Sequence, residues 1–341
     1  MQRVTIIGLG LIGGSIGLGL RRWASANGSG GRPALEVVGF STNLDKQSRA
    51  ERMKAVDRTA WDLPKAVEGA DLVIIATPVM AMEEVFESIA PHLKPGAVVT
   101  DAASTKAEVM RWARERLPAS IHFVGGHPMA GKTESIEGAD PDLFNGATWV
   151  ICPSVSADEE AVRTVLGMVS ALGATAYFAD HFEHDAFVAG ISHLPFVLSG
   201  ALVNAVSGDP SWRDMQHLAA SGFRDVSRLA LGSPAMYRDI LLTNREAVTR
   251  WIDQFETSLG ELRATLQQDP AQAGAEIEAW LSRAQDARAA WDVRTPRESE
   301  LMPDRGEAAP EKFTDHVSRM FLGGLAKKRR PGADPDQPRG R

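Results

Sequence analysis

Cysteine is nearly absent: Cys152 is the single thiol in 341 residues and has no partner for an internal disulfide. That excludes a disulfide-stapled scaffold and leads us to expect a reducing, cytoplasmic setting. Positive charge is also scarce. Lys plus Arg number 37 against 44 Asp plus Glu, a net charge of -7, and duplex nucleic acid as the main partner needs the clustered cations that this balance lacks. No basic segment followed by a short apolar run and a cleavage site opens the chain, because a patterned strand begins by Val4. Asp, Glu, Lys and Arg are missing altogether from residues 186–208, a stretch long enough to imitate a membrane span. It contains Ser192, His193, Pro195, Ser199 and Asn204. Polar groups at helical spacing suit a helix buried in protein better than one facing lipid, so no membrane is expected.

What is present is the composition of a soluble globular chain, 44% hydrophobic and 24% charged, with a length that suggests two domains. Up to residue 179, short β-branched runs at 4–7, 36–40, 71–76, 97–101, 121–124 and 148–152 alternate with amphipathic stretches. The run Leu72-Val73-Ile74-Ile75-Ala76 is apolar without alternation, as parallel strands covered on both faces are. The polar, glycine-rich residues 26–33 read as a surface loop. After residue 180 the strand signal ends and long helical patterns follow, broken near Gly208-Asp209-Pro210, Gly232-Ser233-Pro234 and Asp269-Pro270. Their apolar content exceeds what one helical layer needs, which points to a homodimer. From residue 295 proline and charge rise, and a mobile tail is expected, with one candidate docking helix at 313–325. The predicted fold is therefore α/β, a doubly wound sheet over 1–179 followed by an all-helical dimerisation and substrate domain over 180–294 and a tail over 295–341.

Gly8-Leu9-Gly10-Leu11-Ile12-Gly13 directly follows the first strand and opens a helix. In that context Gly8 permits a tight turn, Gly10 lets the backbone approach a pyrophosphate, and Gly13 allows close helix-to-strand packing. The first-turn N–H groups at Leu11 and Ile12 face the anion. This is the Rossmann arrangement, and Thr77-Pro78 stands where ligands cross the carboxyl edge of such a sheet. An acidic residue normally ends the second strand to bind ribose hydroxyls; here Ser41-Thr42-Asn43 stands there, with Asp45, Lys46 and Arg49 close behind. NAD and NADP both remain open on these residues.

Three segments supply reactive groups. Asp101-Ala102-Ala103-Ser104-Thr105-Lys106 follows one strand, and Gly125-Gly126-His127-Pro128-Met129-Ala130-Gly131 follows the next. A histidine between a glycine pair and a proline has a fixed backbone, and an imidazole suits general-base work, with Ser104 placed to orient the ring. A capping serine and a loop histidine packed for shape are the bland alternatives. In the helical half lie His193, in Ser192-His193-Leu194-Pro195, and the segment Gly222-Phe223-Arg224-Asp225-Val226-Ser227-Arg228. Two arginines four apart share a helix face and suit a carboxylate clamp or surface ion pairs with Asp225.

Together, in this order, these blocks resemble the prephenate dehydrogenase family, which also holds arogenate and cyclohexadienyl dehydrogenases, from Met1 to about Ala290. The resemblance implies a Rossmann domain, a helical dimerisation domain, NAD or NADP as cofactor, no metal, and oxidative decarboxylation of prephenate to 4-hydroxyphenylpyruvate in tyrosine biosynthesis. It implies that His127 is the catalytic base, Ser104 its hydrogen-bonding partner and His193 a second active-site histidine. Arg228 would bind substrate carboxylate, and Asp225 and Tyr237 would shape the pocket. The chain departs from the family pattern where a glutamate is usual six residues after the histidine: Thr133 is there and Glu134 follows. Arogenate is the nearest alternative substrate. Families of β-hydroxyacid dehydrogenases and imine reductases share the two-part architecture, but the lysine-dependent kind is disfavoured because residues 180–243 contain no lysine. A non-catalytic dinucleotide sensor would need none of the three polar segments.

Overall fold

The computed structural model describes residues 2–28, 34–132, 134–155 and 157–293. Most of the glycine-rich loop, Thr133, and the tail with its candidate docking helix lie outside these residues. The first half begins β1 (Gln2–Ile7), α1 (Leu11–Ala26), β2 (Leu35–Phe40), α2 (Leu44–Arg52), β3 (Arg58–Thr59), α3 (Leu63–Val67), β4 (Leu72–Ile75) and α4 (Met82–Ile89). It continues with β5 (Val98–Asp101), α5 (Ala107–Arg116), β6 (His122–Pro128), β7 (Thr148–Pro153), α6 (Glu159–Ala171) and β8 (Thr175–Phe178). The eight strands form one sheet in the order β3-β2-β1-β4-β5-β6-β7-β8.

The apolar runs divide by residue parity between the two faces. Val4, Ile6, Leu72 and Ile74 join one core with α1 and α6, whereas Ile7, Val73, Ile75 and Val99 join another with α4 and α5. A strand buried on both faces has no polar alternation to show, which is why the sequence runs are continuous. The order reverses between β1 and β4, so the ends of those strands open a crevice of the kind that binds ligands.

Among the described residues every pairing is parallel except β6 with β7. This antiparallel pair lengthens β6 beyond its expected end at 124, because Gly125, Gly126, His127 and Pro128 pair with Cys152, Ile151, Val150 and Trp149. His127 thus sits within a strand and not in a loop after it. Cys152 is buried, and burial pushes its thiol up to about 12, so it is an inert packing residue.

The second half is helical: α7 (His181–Val188), a π turn at Ala189–His193, α8 (Leu194–Ser207), α9 (Trp212–Leu218), α10 (Ser221–Ser227), a 3-10 turn at Arg228–Leu231, α11 (Pro234–Thr243), α12 (Arg245–Leu266) and α13 (Pro270–Val293). The three expected breaks fall between α8 and α9, before α11, and between α12 and α13. Pro195 follows the π turn; lacking an N–H it cannot continue a regular ladder, and the wider turn carries the chain past it. The continuous helix His181–Ser207 is long and apolar enough to cross a membrane by length and composition, and 28% of its most apolar window is buried by the chain itself. The expectation of a helix buried in protein is thus only partly met within one chain. Ile191 is 72% exposed, and Leu218 and Leu231 on the neighbouring segments exceed 80%.

Candidate active site

The turn after β1 has the shape that its glycines predict. Gly8 adopts φ +100°, and a Cβ there would stand 2.4 Å from the carbonyl oxygen of Ala76. A Cβ on Gly13 would stand 1.9 Å from the Gly8 carbonyl oxygen, whereas one on Gly10 would meet nothing within 4 Å. Gly13 therefore serves packing, and Gly10 faces open space at the N-terminus of α1. Among the described residues no side chain caps that helix, which leaves its first N–H groups for an anion. Thr77, just past β4 on the same edge, holds a buried hydroxyl with no hydrogen-bond partner among the described residues. A glycine cradle, an uncapped helix and an orphaned hydroxyl across the switch point fit a dinucleotide. Ser41 directly follows β2; its hydroxyl accepts the Asn43 N–H at 3.2 Å, and Asn43 caps α2.

Three strands along the same edge stands His127. Neighbouring strands are about 5 Å apart, so the ends of β1 and β6 are separated by roughly 14 Å, a span suited to an extended dinucleotide. The His127 ring is buried, and its Nδ1 lies 2.9 Å from Nε2 of His184. Burial first, then the charges of His184, Lys106 and His193, hold the His127 pKa well below 6.5. It is a neutral imidazole at neutral pH, with Nε2 as the nitrogen not engaged by His184.

The backbone beneath it is pinned by a buried ion pair. Asp101, at the end of β5, accepts the N–H of Gly126 at 3.0 Å and of Ala103 at 2.9 Å, and pairs with Lys106, both side chains being wholly buried. Removing either partner would strand a charge, at a cost of about 3–5 kcal/mol. Ser104 lies on the same turn, half-buried. Among the described residues it makes no hydrogen bond to His127, whose Nδ1 is taken by His184.

α7 brings up the remaining groups. Asp180 caps it by accepting the N–H groups of Phe182 and Glu183, and the resulting helical phase turns His184 and Asp185 inward while Phe182 stays exposed. His193, in the π turn, is fully buried; Asn244 donates to its Nδ1 at 3.2 Å, and its Nε2 has no partner among the described residues. Burial pushes its pKa down to about 4. A neutral ring with an acceptor at Nδ1 carries its proton at Nε2, a donor awaiting an acceptor. Thr105 and Thr243, 2.9 Å apart, join the turn after β5 to α11.

Tyr237 stacks on Phe196 with ring centres 3.9 Å apart, and its hydroxyl donates to the Leu229 carbonyl. Burial raises its pKa, and the positive charge of Arg228 opposes that rise. Arg224, Asp225 and Arg228 are exposed, and neither arginine forms an ion pair with Asp225. The structure thus groups His127, Asp101 and Lys106 in one buried cluster with His184, Asp185, His193 and Asn244, and leaves the arginine segment at the surface. Glu134 is exposed and lies against Gly138. Sequence reasoning missed His184, Asp185 and Asn244. A His-Asp pair at the entrance of a charge-free helix was the available signal.

This geometry agrees with what comparison with known proteins finds. Residues 30–178 match the prephenate dehydrogenase nucleotide-binding domain and residues 180–282 the prephenate dehydrogenase dimerization domain. The chain is 32% identical to a prephenate dehydrogenase of Bacillus subtilis over 274 residues, 79% of this chain and 71% of that protein. Among solved structures, that of A. aeolicus prephenate dehydrogenase in complex with hydroxyphenyl propionate and NAD+ superposes with a TM-score of 0.76 and 28% identity, covering 85% of this chain and 98% of that one. Synechocystis arogenate dehydrogenase does so with a TM-score of 0.71 and 30% identity, covering 85% and 100%. The two matched segments meet between β8 and α7, where the strands give way to helices, and this chain belongs to the prephenate dehydrogenase family.

Proposed function

We propose that the chain acts as a homodimeric prephenate dehydrogenase, oxidising and decarboxylating prephenate to 4-hydroxyphenylpyruvate with NAD or NADP. One observation carries the assignment of the base: His127 is a buried, neutral imidazole with Nδ1 engaged by His184 and Nε2 left to accept a proton. The dinucleotide, when bound on the glycine turn, Leu11, Ile12, Ser41, Thr77 and Pro78, supplies the hydride acceptor. Nε2 of His127 takes the proton from the substrate's ring hydroxyl oxygen as the carbon bearing it gives up hydride, leaving a ring carbonyl there. The bond to the ring carboxylate then breaks, carbon dioxide leaves, its electron pair completes the aromatic ring, and the resulting phenolate oxygen takes the proton back from Nε2 of His127. Aromatisation drives the reaction, so the protein's task is alignment. Ser104 orients the hydroxyl, the Nε2–H of His193 donates to the substrate, and Arg228 clamps its carboxylate with Asp225 and Tyr237 shaping the pocket. In this reading residues 1–179 bind the dinucleotide, 180–294 form the dimerisation and substrate domain, and 295–341 are a tail.

A second copy covers the exposed apolar surface at Ile191, Leu218 and Leu231. The lone, buried thiol of Cys152 goes with a cytoplasmic enzyme. The test is formation of reduced nicotinamide by the purified protein with prephenate and with arogenate, each with NAD and with NADP, alongside sedimentation analysis. Turnover of prephenate by a dimer is expected. Turnover of arogenate alone would change the substrate, and silence in all four combinations with dinucleotide bound would favour a sensor.

A further inference from the structure

His184 and Asp185 have no part in the mechanism above, yet both are buried and in line with its base. Nδ1 of His127 is 2.9 Å from Nε2 of His184, and Nδ1 of His184 is 2.8 Å from Oδ1 of Asp185. We infer that His184 and Asp185 are positioning residues that act through His127, fixing its tautomer with Nε2 unprotonated and sharing the positive charge that arrives with the substrate proton. The inference rests on His127 being the base.

The chain of donors runs one way. Asp185 accepts the backbone N–H of Lys106 at 2.7 Å on Oδ1 and of Ala107 at 2.9 Å on Oδ2. Those groups lie at the N-terminus of α5, where a carboxylate is stabilised by unpaired N–H groups and the helix dipole. An ionised carboxylate only accepts, so Nδ1 of His184 donates to it. A neutral His184 then offers only a lone pair at Nε2. Nδ1 of His127 must carry the hydrogen that fills this contact, which leaves Nε2 of His127 as a lone pair.

Without His184 the same buried ring has no acceptor at Nδ1 and is free to hold its hydrogen on either nitrogen. One tautomer is useless as a base at Nε2. When His127 takes the substrate proton, the Asp185 carboxylate, reached through the His184 ring, is the linked anion of this file of three; a charge on His184 itself, on Lys106 or on His193 disfavours the added charge, so His184 serves in its neutral form. Asp101 is neutralised by Lys106. The arrangement has the logic of an oriented imidazole backed by a carboxylate, with one more ring inserted.

The test uses the full-length enzyme with His184→Leu, which removes the acceptor, and His184→Gln, whose side-chain carbonyl restores one. In 15N-histidine-labelled wild type, His127 is expected to show a protonated Nδ1 and an unprotonated Nε2. His184→Leu is expected to mix the two tautomers and lower kcat by roughly a hundredfold, within the range for general-base contributions, at unchanged dinucleotide Kd. His184→Gln should recover the single tautomer and at least part of the lost kcat. A wild-type tautomer with hydrogen on Nε2, or a folded His184→Leu enzyme with wild-type kcat and spectrum, would overturn the inference. If His184→Leu does not fold, the wild-type spectrum and His184→Gln still decide it. A wild type that binds dinucleotide but turns over no cyclohexadienyl acid would overturn the functional reading instead, and the spectrum separates the two failures.

Discussion

The carboxylate of Asp185 on α7 accepts the backbone N–H of Ala107, the first residue of α5, at 2.9 Å. Lys106, in the cap position of α5, supplies no side-chain cap of its own. The helical half thus caps a helix of the sheet half with the same residue that reaches His127 through His184. Placement of the two halves and orientation of the base are one geometric fact.

Asn244 is the second tie. Its amide donates to the Asp185 carbonyl at 2.8 Å and to Nδ1 of His193 at 3.2 Å. Asn244→Leu would leave two buried acceptors unpaired, each worth about 1–3 kcal/mol. The urea midpoint should fall by a corresponding amount with the slope unchanged. An unaltered midpoint would show that these contacts do not hold the junction.

The two glycines of the turn should separate. Gly13→Ala drives a Cβ into the Gly8 carbonyl and is expected to lower Tm, overpacking of this kind costing about 1–3 kcal/mol. Gly10→Ala meets nothing within 4 Å. Its Tm should match wild type within about 0.5 kcal/mol of stability, while dinucleotide affinity falls because the methyl stands where a pyrophosphate approaches. Thermal unfolding with and without dinucleotide checks both, and equal affinities for Gly10→Ala and wild type would contradict the assignment.

Stability should fall in acid through the buried histidines. His127 is held well below 6.5 and His193 at about 4, so between pH 6.5 and 4 the unfolded chain binds protons that the folded chain does not. Their stabilising contribution is full above pH 6.5 and is lost as pH falls, by up to about 1.4 kcal/mol per pH unit for each ring. His193→Gln should make the slope of stability against pH shallower over that window. An identical slope would mean that His193 is protonated in the folded protein.

No carboxylate stands at the end of β2, where Phe40 is followed by Ser41. Ser41→Asp would place a negative charge where a 2′-phosphate would lie. NADP affinity is expected to drop at least tenfold, about 1.4 kcal/mol, and NAD affinity to drop less or rise. Fluorescence titration with both reduced dinucleotides reads the ratio. An unchanged ratio would place the adenosine ribose away from Ser41.

Much of the architecture was legible because the strands of the sheet half are buried on both faces and announce themselves as continuous apolar runs. β3, two residues at Arg58–Thr59, and β8, an edge strand whose Tyr177 and Phe178 are exposed, carry no such signature. The glycine turn was readable because backbone conformation dictates residue type there. His127 was readable as chemistry, but its strand context was not, because the antiparallel partner β7 enters from later in the chain. His184 was hidden for the same reason: it meets His127 across 57 residues. Within α7 only the tertiary phase distinguishes it from its exposed neighbours.

The central claim is that His127 accepts the substrate proton as hydride leaves. The most direct measurement is single-turnover formation of reduced nicotinamide by His127→Asn, with dinucleotide affinity measured in parallel. The account predicts wild-type affinity and hydride transfer slowed by about 10²–10⁴. A His127→Asn enzyme that binds dinucleotide and retains most of the wild-type rate would contradict it.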